Sequence, residues 1–286
     1  MTLAIRSQMP IRALRHVRKM SGGAKSHLIE CDDGHFYVVK YAGNPQHRRI
    51  LANELISSSL LKYLLISSPE AVVVELTSEF IERFPECAMQ LGTQAVLPGP
   101  GRHFGSKYPG DPAFSRVYDF VPNDVLSQVH NLHEFVSALA FDKWMGNSDR
   151  RQSIFFRANV SEWLPRAEVN PRKVGFIAQM IDHGYAFNGP HWEFISSSVQ
   201  GLYPQTMVYD SIRSFKDFQP TLDRIVHFPV QVLDEVRRRI PPEWLAGDED
   251  RLERLLGDLM RRRGRVPDLV AESRLARVSP FANWPD

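Results

Sequence analysis

Apolar positions recur along this chain in two different periods, and the change from one to the other divides it. Two runs, His27 to Cys31 and Phe36 to Lys40, are β-prone and flank Asp32-Asp33-Gly34. This pattern predicts a β-hairpin around an Asp-Gly turn. Gly43-Asn44-Pro45 interrupts it. From about Arg48 to Leu65 the apolar residues Ile56, Leu60, Tyr63 and Leu64 follow the helical period. Pro69 closes that helix, and Ala71 to Leu76 reads as a further strand. The next stretch, Pro98 to Pro112, is rich in Gly and Pro and is interrupted by His103-Phe104-Gly105-Ser106-Lys107-Tyr108. Such a composition shift marks the expected junction between two lobes.

Beyond the junction the pattern turns helical. Leu132, Phe135, Val136, Leu139 and Ala140 form a stripe, Asn131 and Glu134 suggest a capping-box start, and Gly146 supplies a stop. The loop 147–152 leads to a short strand, Ser153 to Phe156. A polar, Pro-containing stretch to Arg172 follows, then a strand from Val174 to Ile181 that ends in Asp182-His183-Gly184. Asp248 and Glu249 open a late helix striped by Leu252, Leu255, Leu256, Leu259 and Met260, with Pro267 beyond it. The expected fold class is α+β and bilobal. Residues 1–108 would build an N-terminal lobe on an antiparallel sheet, and residues 109–286 a mostly helical C-terminal lobe.

Composition narrows the function classes. The 286 residues are 43% hydrophobic and 24% charged, an ordinary globular balance. A net charge of +2 gives no reason to expect direct nucleic-acid binding. Arginine runs at 237–239 and 261–263 read as solvated or dipole-favoured helix ends. The lead carries Arg6, Arg12, Arg15, Arg18 and Lys19 without the apolar run of a signal peptide, and no stretch approaches the ~20 apolar residues of a membrane span. Cys31 and Cys87 have neither metal-ligand spacing nor a disulfide framework. The expectation is a cytoplasmic protein without a membrane partner.

The chemistry concentrates at loop ends. If Ser153–Phe156 and Val174–Ile181 pair as an antiparallel hairpin, the loop 147–152 and Asp182 meet in space. Asp149 and Asp182 could then hold magnesium and orient a hydroxyl, the combination phosphoryl transfer needs. Taken alone, each is an ordinary turn aspartate. In the first half, strand alternation puts Phe36, Val38 and Lys40 on one face. Lys40 could bind phosphate oxygens, and Glu54 at the following helix could hold it extended. Alone they read as a strand-end lysine and a helix-start glutamate. The small-residue loop Gly22-Gly23-Ala24-Lys25-Ser26 could offer backbone N–H groups to phosphates, though its spacing is not that of a Walker A loop.

In this order, and above all at Asn147-Ser148-Asp149-Arg150-Arg151 and Ile181-Asp182-His183-Gly184, the chain resembles the HipA-like kinase family, and more distantly the lipid- and protein-kinase folds. The resemblance covers about Ser21 to Gly184 and implies a cleft that binds ATP and Mg2+. It implies Asp149 as the residue that orients the acceptor hydroxyl and takes its proton. Asp182 matches the magnesium-holding aspartate of the Asp-Phe-Gly motif, Lys40 the phosphate-binding lysine, and Glu54 its partner. Val38 would roof the adenine, and Gly105, Ser106, Lys107 and Tyr108 would form the linker at the adenine edge. One departure bears on catalysis. Relatives carry a metal-binding Asn five residues after the loop aspartate, where this chain has Ile154. Ser153 or Gln152 could take its place. The resemblance thus implies a serine/threonine kinase acting on an unidentified protein. The alternatives are a nucleotide-binding pseudokinase or, with an enclosed acidic acceptor pocket, a small-molecule kinase.

Overall fold

The basic lead is a strand. In the computed structural model, which describes residues 10–164, 170–276 and 279–284, β1 (Ile11–Lys19) pairs antiparallel with β2 (His27–Cys31). Arg6 and part of the polar stretch before Arg172 lie outside the described residues. β1 hides in the sequence because its outward positions are charged. Arg12 pairs with Glu75 and Arg15 with Glu30 on neighbouring strands. The Asp32–Gly34 turn leads into β3 (Phe36–Lys40), as the hairpin pattern predicts. Next come α1 (Arg49–Leu64), closed by Leu65 in a left-handed conformation, β4 (Ala71–Leu76) and α2 (Ser78–Arg83). A small hairpin, β5 (Met89–Leu91) and β6 (Gln94–Val96), precedes β7 (Gly101–Lys107).

β7 lies between β3 and β4, and β1 meets β4 in a short parallel pair. The five strands therefore form a closed barrel in the order β1-β2-β3-β7-β4. The expected antiparallel pairing holds for every pair of the barrel but β1 with β4, and the sheet closes on itself. Within the Gly- and Pro-rich segment 98–112, residues 101–107 are the barrel strand β7. Its apolar signal is weak because its inward position must be small. A Cβ on Gly105 would sit 2.6 Å from Val74 Cγ2 and 3.0 Å from Val72 Cγ2, closer than packed carbons tolerate. The barrel encloses Ile29, Tyr37, Val39, Tyr41 and Met89, with Cys31 and Cys87 buried there as free thiols.

The rest of the chain is mostly helical. A short strand, β8 (Val117–Tyr118), and α3 (Asn123–Leu126) precede α4 (Glu134–Met145), which stops at Gly146 with φ 57°. The expected capping box does not form. Asn131 instead exchanges hydrogen bonds with the backbone of Ala178 (2.8 and 2.9 Å), and Glu134 accepts from Ser67 N (2.6 Å) and Oγ (3.2 Å). Both side chains tie α4 to other elements. β9 (Gln152–Asn159) and β10 (Val174–Ile181) pair in the predicted antiparallel hairpin, with α5 (Val160–Trp163) between them. There follow α6 (Thr221–Val226), α7 (Val230–Arg239), α8 (Pro242–Leu245), α9 (Glu249–Arg262) and α10 (Val266–Glu272). The larger core joins α1 to this helical part through Leu55, Leu60, Phe135, Leu139 and Trp144. Among the described residues, no helix is long and apolar enough to cross a membrane.

Candidate active site

Lys40 stands at the end of β3 with its side chain on the face opposite Val39, which fills the barrel. Its ammonium donates to Glu54 Oε1 at 2.5 Å and to Asp182 Oδ1 at 2.7 Å. Three residues widely separated in sequence thus meet as one ion cluster. α1 brings Glu54 there, and α1 is itself fixed. Asn53 Nδ2 donates to the carbonyls of Gly184, Ala186 and Gly189 (2.7, 3.1 and 3.0 Å), while its Oδ1 accepts from Trp192 Nε1 at 2.8 Å. Arg49 adds a forked pair to Asp248 (2.7 and 2.6 Å) and a bond to Pro190 O. Gly184 permits the approach. A Cβ there would lie 2.6 Å from Ile50 Cγ2 and 3.5 Å from Glu54 Oε1. Asp182 holds a left-handed φ of 56°, which aspartate tolerates better than most residues.

Burial and charge oppose each other in this cluster. Burial alone would lower the Lys40 ammonium, but the carboxylates of Glu54 and Asp182 more than offset it and hold the pKa above its usual value. Burial raises Glu54 despite the neighbouring lysine. Burial also acts to raise Asp182, but the Lys40 charge and hydrogen bond, with Arg151 adding to them, outweigh it and hold that carboxyl below its usual range. The Asp182 side chain keeps 35% of its surface exposed, so the anion is open to solvent on one side.

The loop after α4 is braced from below. Arg151, 2% exposed, donates from Nε to Asp142 Oδ2 at 2.7 Å and from Nη2 to Asp142 Oδ1. Its Nη1 reaches Ile181 O and His183 Nδ1, both at 2.9 Å. One guanidinium therefore links α4, the 147–152 loop and the Asp-His-Gly turn. Burial and the Arg151 charge hold His183 neutral, its pKa well below the usual value. Asn147 bonds Asp142 Oδ1 (2.9 Å) and accepts from Asp149 N (3.2 Å). Ser148 N donates to Tyr185 O (3.0 Å) and Gly201 N to Asp149 O (3.2 Å). Asp149 is left at the surface, its carboxylate receiving, among the described residues, Arg150 N (2.7 Å) and Gln152 Nε2 (3.4 Å). The predicted meeting of the Asp149 loop with Asp182 is present.

The two candidates for the missing Asn separate cleanly. Gln152 lies opposite Ile181, one residue before Asp182, and is exposed beside Asp149. Ser153 points the other way and is buried at 3% exposure, next to Tyr203. Gln152 is thus the exposed candidate and Ser153 the buried one, and both line one cavity with Arg151 and Ile181. Among the described residues, no three His, Cys, Asp or Glu side chains converge as a metal-holding cluster. One carboxylate and one amide still suit magnesium, which is commonly held by one or two carboxylates plus substrate phosphates.

The remaining predicted residues divide by strand face. The pair His27–Val39 places Ser26 opposite Lys40, so the loop carrying Gly22, Gly23 and Lys25 hangs at the lysine end of β3. Gly22 has φ 117° and Lys25 φ 50°; Lys25 is exposed and Ser26 buried. Ser106 lies opposite the half-buried Val38 and shares its face, while Tyr108 N follows on, bonded to Phe36 O at 2.7 Å. Gly105 and Lys107 fall on the barrel side of β7, opposite Val39 and Tyr37, because strand residues alternate. Asp142, Arg151 as a brace, and Asn53 as the anchor of the Asp-His-Gly segment were missed. A lone acid inside the apolar run Phe135–Met145 was the signal available for Asp142.

A barrel whose lysine is clamped to a helix glutamate, set over an Asp-loop and an Asp-x-Gly turn, defines the protein-kinase-like class. The chain belongs to the HipA-like kinase family, whose profile matches residues 14–265. Among solved structures it is similar to a Golgi casein kinase with Mn and ADP bound. That likeness has a TM-score of 0.51 at 15% identity and covers 94% of this chain and 73% of that one. A second structure of the Golgi casein kinase matches with a TM-score of 0.51 at 14% identity, covering 97% and 75%. At such identity the likeness establishes the fold alone. A search of curated proteins finds no match.

Proposed function

We propose that this chain is a cytoplasmic, ATP-dependent kinase that transfers the γ-phosphoryl group to a serine or threonine hydroxyl of a protein. Residues 1–108 and 109–286 act as the two lobes, with ATP and Mg2+ between them. The observation that carries this reading is Lys40 bonded to both Glu54 and Asp182 (2.5 and 2.7 Å), with Asp149 open beside Gln152. Lys40 is positioned to give its charge to phosphate oxygens, and buried Glu54 keeps it extended. Val38, Ser106 and Tyr108 form the adenine side, and Gly22, Gly23, Lys25 and Ser26 lie over the phosphates. Asp182 and Gln152 would hold Mg2+, which when bound neutralises developing charge on the phosphates. Asp149 orients the acceptor hydroxyl and takes its proton as the new P–O bond forms.

A second reading, a nucleotide-binding pseudokinase, is favoured by Ile154 at the usual Asn position. Gln152 in the cleft weighs against it. Incubation with Mg2+ and labelled ATP, reading protein phosphorylation and ATP hydrolysis, tests the two. Incorporation lost in Asp149→Asn supports the kinase. Silence in both readouts with nucleotide still bound selects the pseudokinase.

A further inference from the structure

The sheet of β8, β9 and β10 ends in a cavity of about 180 Å³. β8 runs antiparallel to β9, so Asp119 and Phe120, which follow β8, come beside Gln152 and Ser153 at the start of β9. Tyr203 and Pro204 close another side. That wall is latched to the chain ahead of α3. Gln205 Nε2 donates to Val121 O (3.0 Å) and Asn123 Oδ1 (2.8 Å), and its Oε1 accepts from the Tyr203 hydroxyl (3.3 Å). The fold itself therefore holds the cavity in shape.

Size and position limit what can enter. Pockets for whole small ligands occupy about 300–1,000 Å³, so this one suits a single side chain rather than a nucleotide. None of Val38, Lys40, Ser106 and Tyr108 lines it. Gln152 does, and its amide donates to Asp149 Oδ2 (3.4 Å), which puts the cavity next to the carboxylate assigned above to the acceptor hydroxyl. Its chemistry is apolar wall plus one free anion. Phe120 is 64% exposed and offers its ring beside Tyr203 and Pro204. Two lining residues are charged. Arg151 is held by Asp142 (2.7 Å), whereas Asp119 is exposed and, among the described residues, has no hydrogen bond or ion pair. Arg150 is exposed nearby in sequence but does not line the cavity.

We propose that this cavity is a specificity subsite for the protein acceptor, and that it takes an arginine a few residues from the serine or threonine that is phosphorylated. Asp119 is the residue that selects it. The proposal rests on the kinase reading above. An arginine fits each feature of the cavity. Its methylene stem lies on apolar surface while the charged head stays at the mouth. Its planar guanidinium pairs with a carboxylate through two parallel bonds and stacks on an aromatic face, here Asp119 and Phe120. Lysine, a more strongly hydrated point charge, gains less from the same surface. An acidic side chain would meet Asp119 as a like charge.

Two measurements test this, one with turnover and one without. A positional library of serine peptides, incubated with the full chain, Mg2+ and labelled ATP, should show arginine preferred to leucine by about 5-fold or more at one position flanking the serine. Asp119→Asn should remove that preference, Asp119→Glu should keep it, and Asp119→Lys should turn it toward Asp and Glu. Fluorescence anisotropy of the labelled peptide pool carrying one arginine, against the same pool carrying leucine, reads binding alone. The arginine pool should bind about 5-fold more tightly, less so in high salt, and equally with the leucine pool in Asp119→Asn. No arginine preference, or one that persists in Asp119→Asn, would overturn the subsite and leave the kinase reading standing. A raised KM for ATP in Asp119→Asn with the peptide preference intact would give the cavity to the nucleotide and overturn it too. Asp119-dependent binding of the arginine pool without transfer to any acceptor would keep the arginine site and sink the kinase reading. Absence of both transfer and Asp119-dependent binding would overturn both.

Discussion

Replacing Arg151 by Met removes a buried cation and leaves the Asp142 carboxylate beneath it with only the amide of Asn147. The guanidinium and that carboxylate are 1% and 0% exposed, so water cannot take over. Breaking such a pair from one side costs about 3–5 kcal/mol. The carbonyl of Ile181 and Nδ1 of His183 each lose a donor as well, which places the expected loss toward the upper end. For a chain of this size that corresponds to a fall in Tm of about 6–15 °C. Asp142→Asn should cost nearly as much, because it strands the arginine. The double variant removes both charges, and its loss should fall short of the sum by at least ~2 kcal/mol. Urea unfolding followed by both circular dichroism and tryptophan fluorescence reads this, Trp144 lying on the same helix as Asp142. Additive losses, or single losses below about 1 kcal/mol, would refute the brace and return Arg151 to an ordinary loop arginine.

Four further outcomes are expected. Asp149→Asn should abolish transfer with nucleotide affinity nearly unchanged, whereas Asp182→Asn should weaken magnesium-dependent binding; titration calorimetry beside a transfer assay separates them, and equal binding losses would mean the roles are wrongly divided. Gln152→Ala should raise the magnesium concentration needed for half-maximal activity while Ser153→Ala leaves it unchanged, and the reverse order would point to Ser153 as the ligand. Gly184→Ala should destabilise by about 1–3 kcal/mol by pushing its Cβ into Ile50, read as a lower urea midpoint. On acidification, His27 and His103, both held to a pKa of about 4 chiefly by burial, bind protons less readily than their unfolded counterparts at 6.5. Their effect is nil above pH 6.5 and is a loss of stability growing as pH falls from about 6.5 to about 4. A urea midpoint flat between pH 7 and 5 would contradict it.

The elements read most easily were those whose apolar period matched their burial. The β9–β10 hairpin, the stripe of α9 and the stop at Gly146 follow the pattern directly. β1 and β7 were obscured for opposite reasons. β1 places arginines outward, where they pair across strands. β7 places Gly105 inward, where valines from β4 leave no room for a side chain. α1 and α4 carry polar residues at buried positions, such as Asn53 and Asp142, and periodicity cannot tell which of these are satisfied inside. The site was legible to the extent that it is built from motif residues. Lys40, Glu54 and Asp182 were placed by their order along the chain, and they do meet. What binds them together was not legible, because Asn53 and Arg151 act through backbone carbonyls whose positions exist only once the chain is folded.

The charge balance of the cluster explains why that scaffold is needed. Lys40 carries one positive charge against two carboxylates, so the site holds an excess negative charge before any ligand arrives. Glu54 lies inside α1 at 3% exposure and cannot leave. Asp182 is the more exposed of the two, at 35%. On the reading proposed above, a divalent cation would take Asp182 from Lys40, and the ammonium would then be free to turn to the phosphates with Glu54 still behind it. For that exchange to occur without collapse, the turn bearing Asp182 must be held by something other than Lys40. Arg151 on Ile181 O and Asn53 on Gly184 O hold it from either side. Both contacts use main-chain acceptors, so they persist whichever partner the Asp182 carboxylate takes.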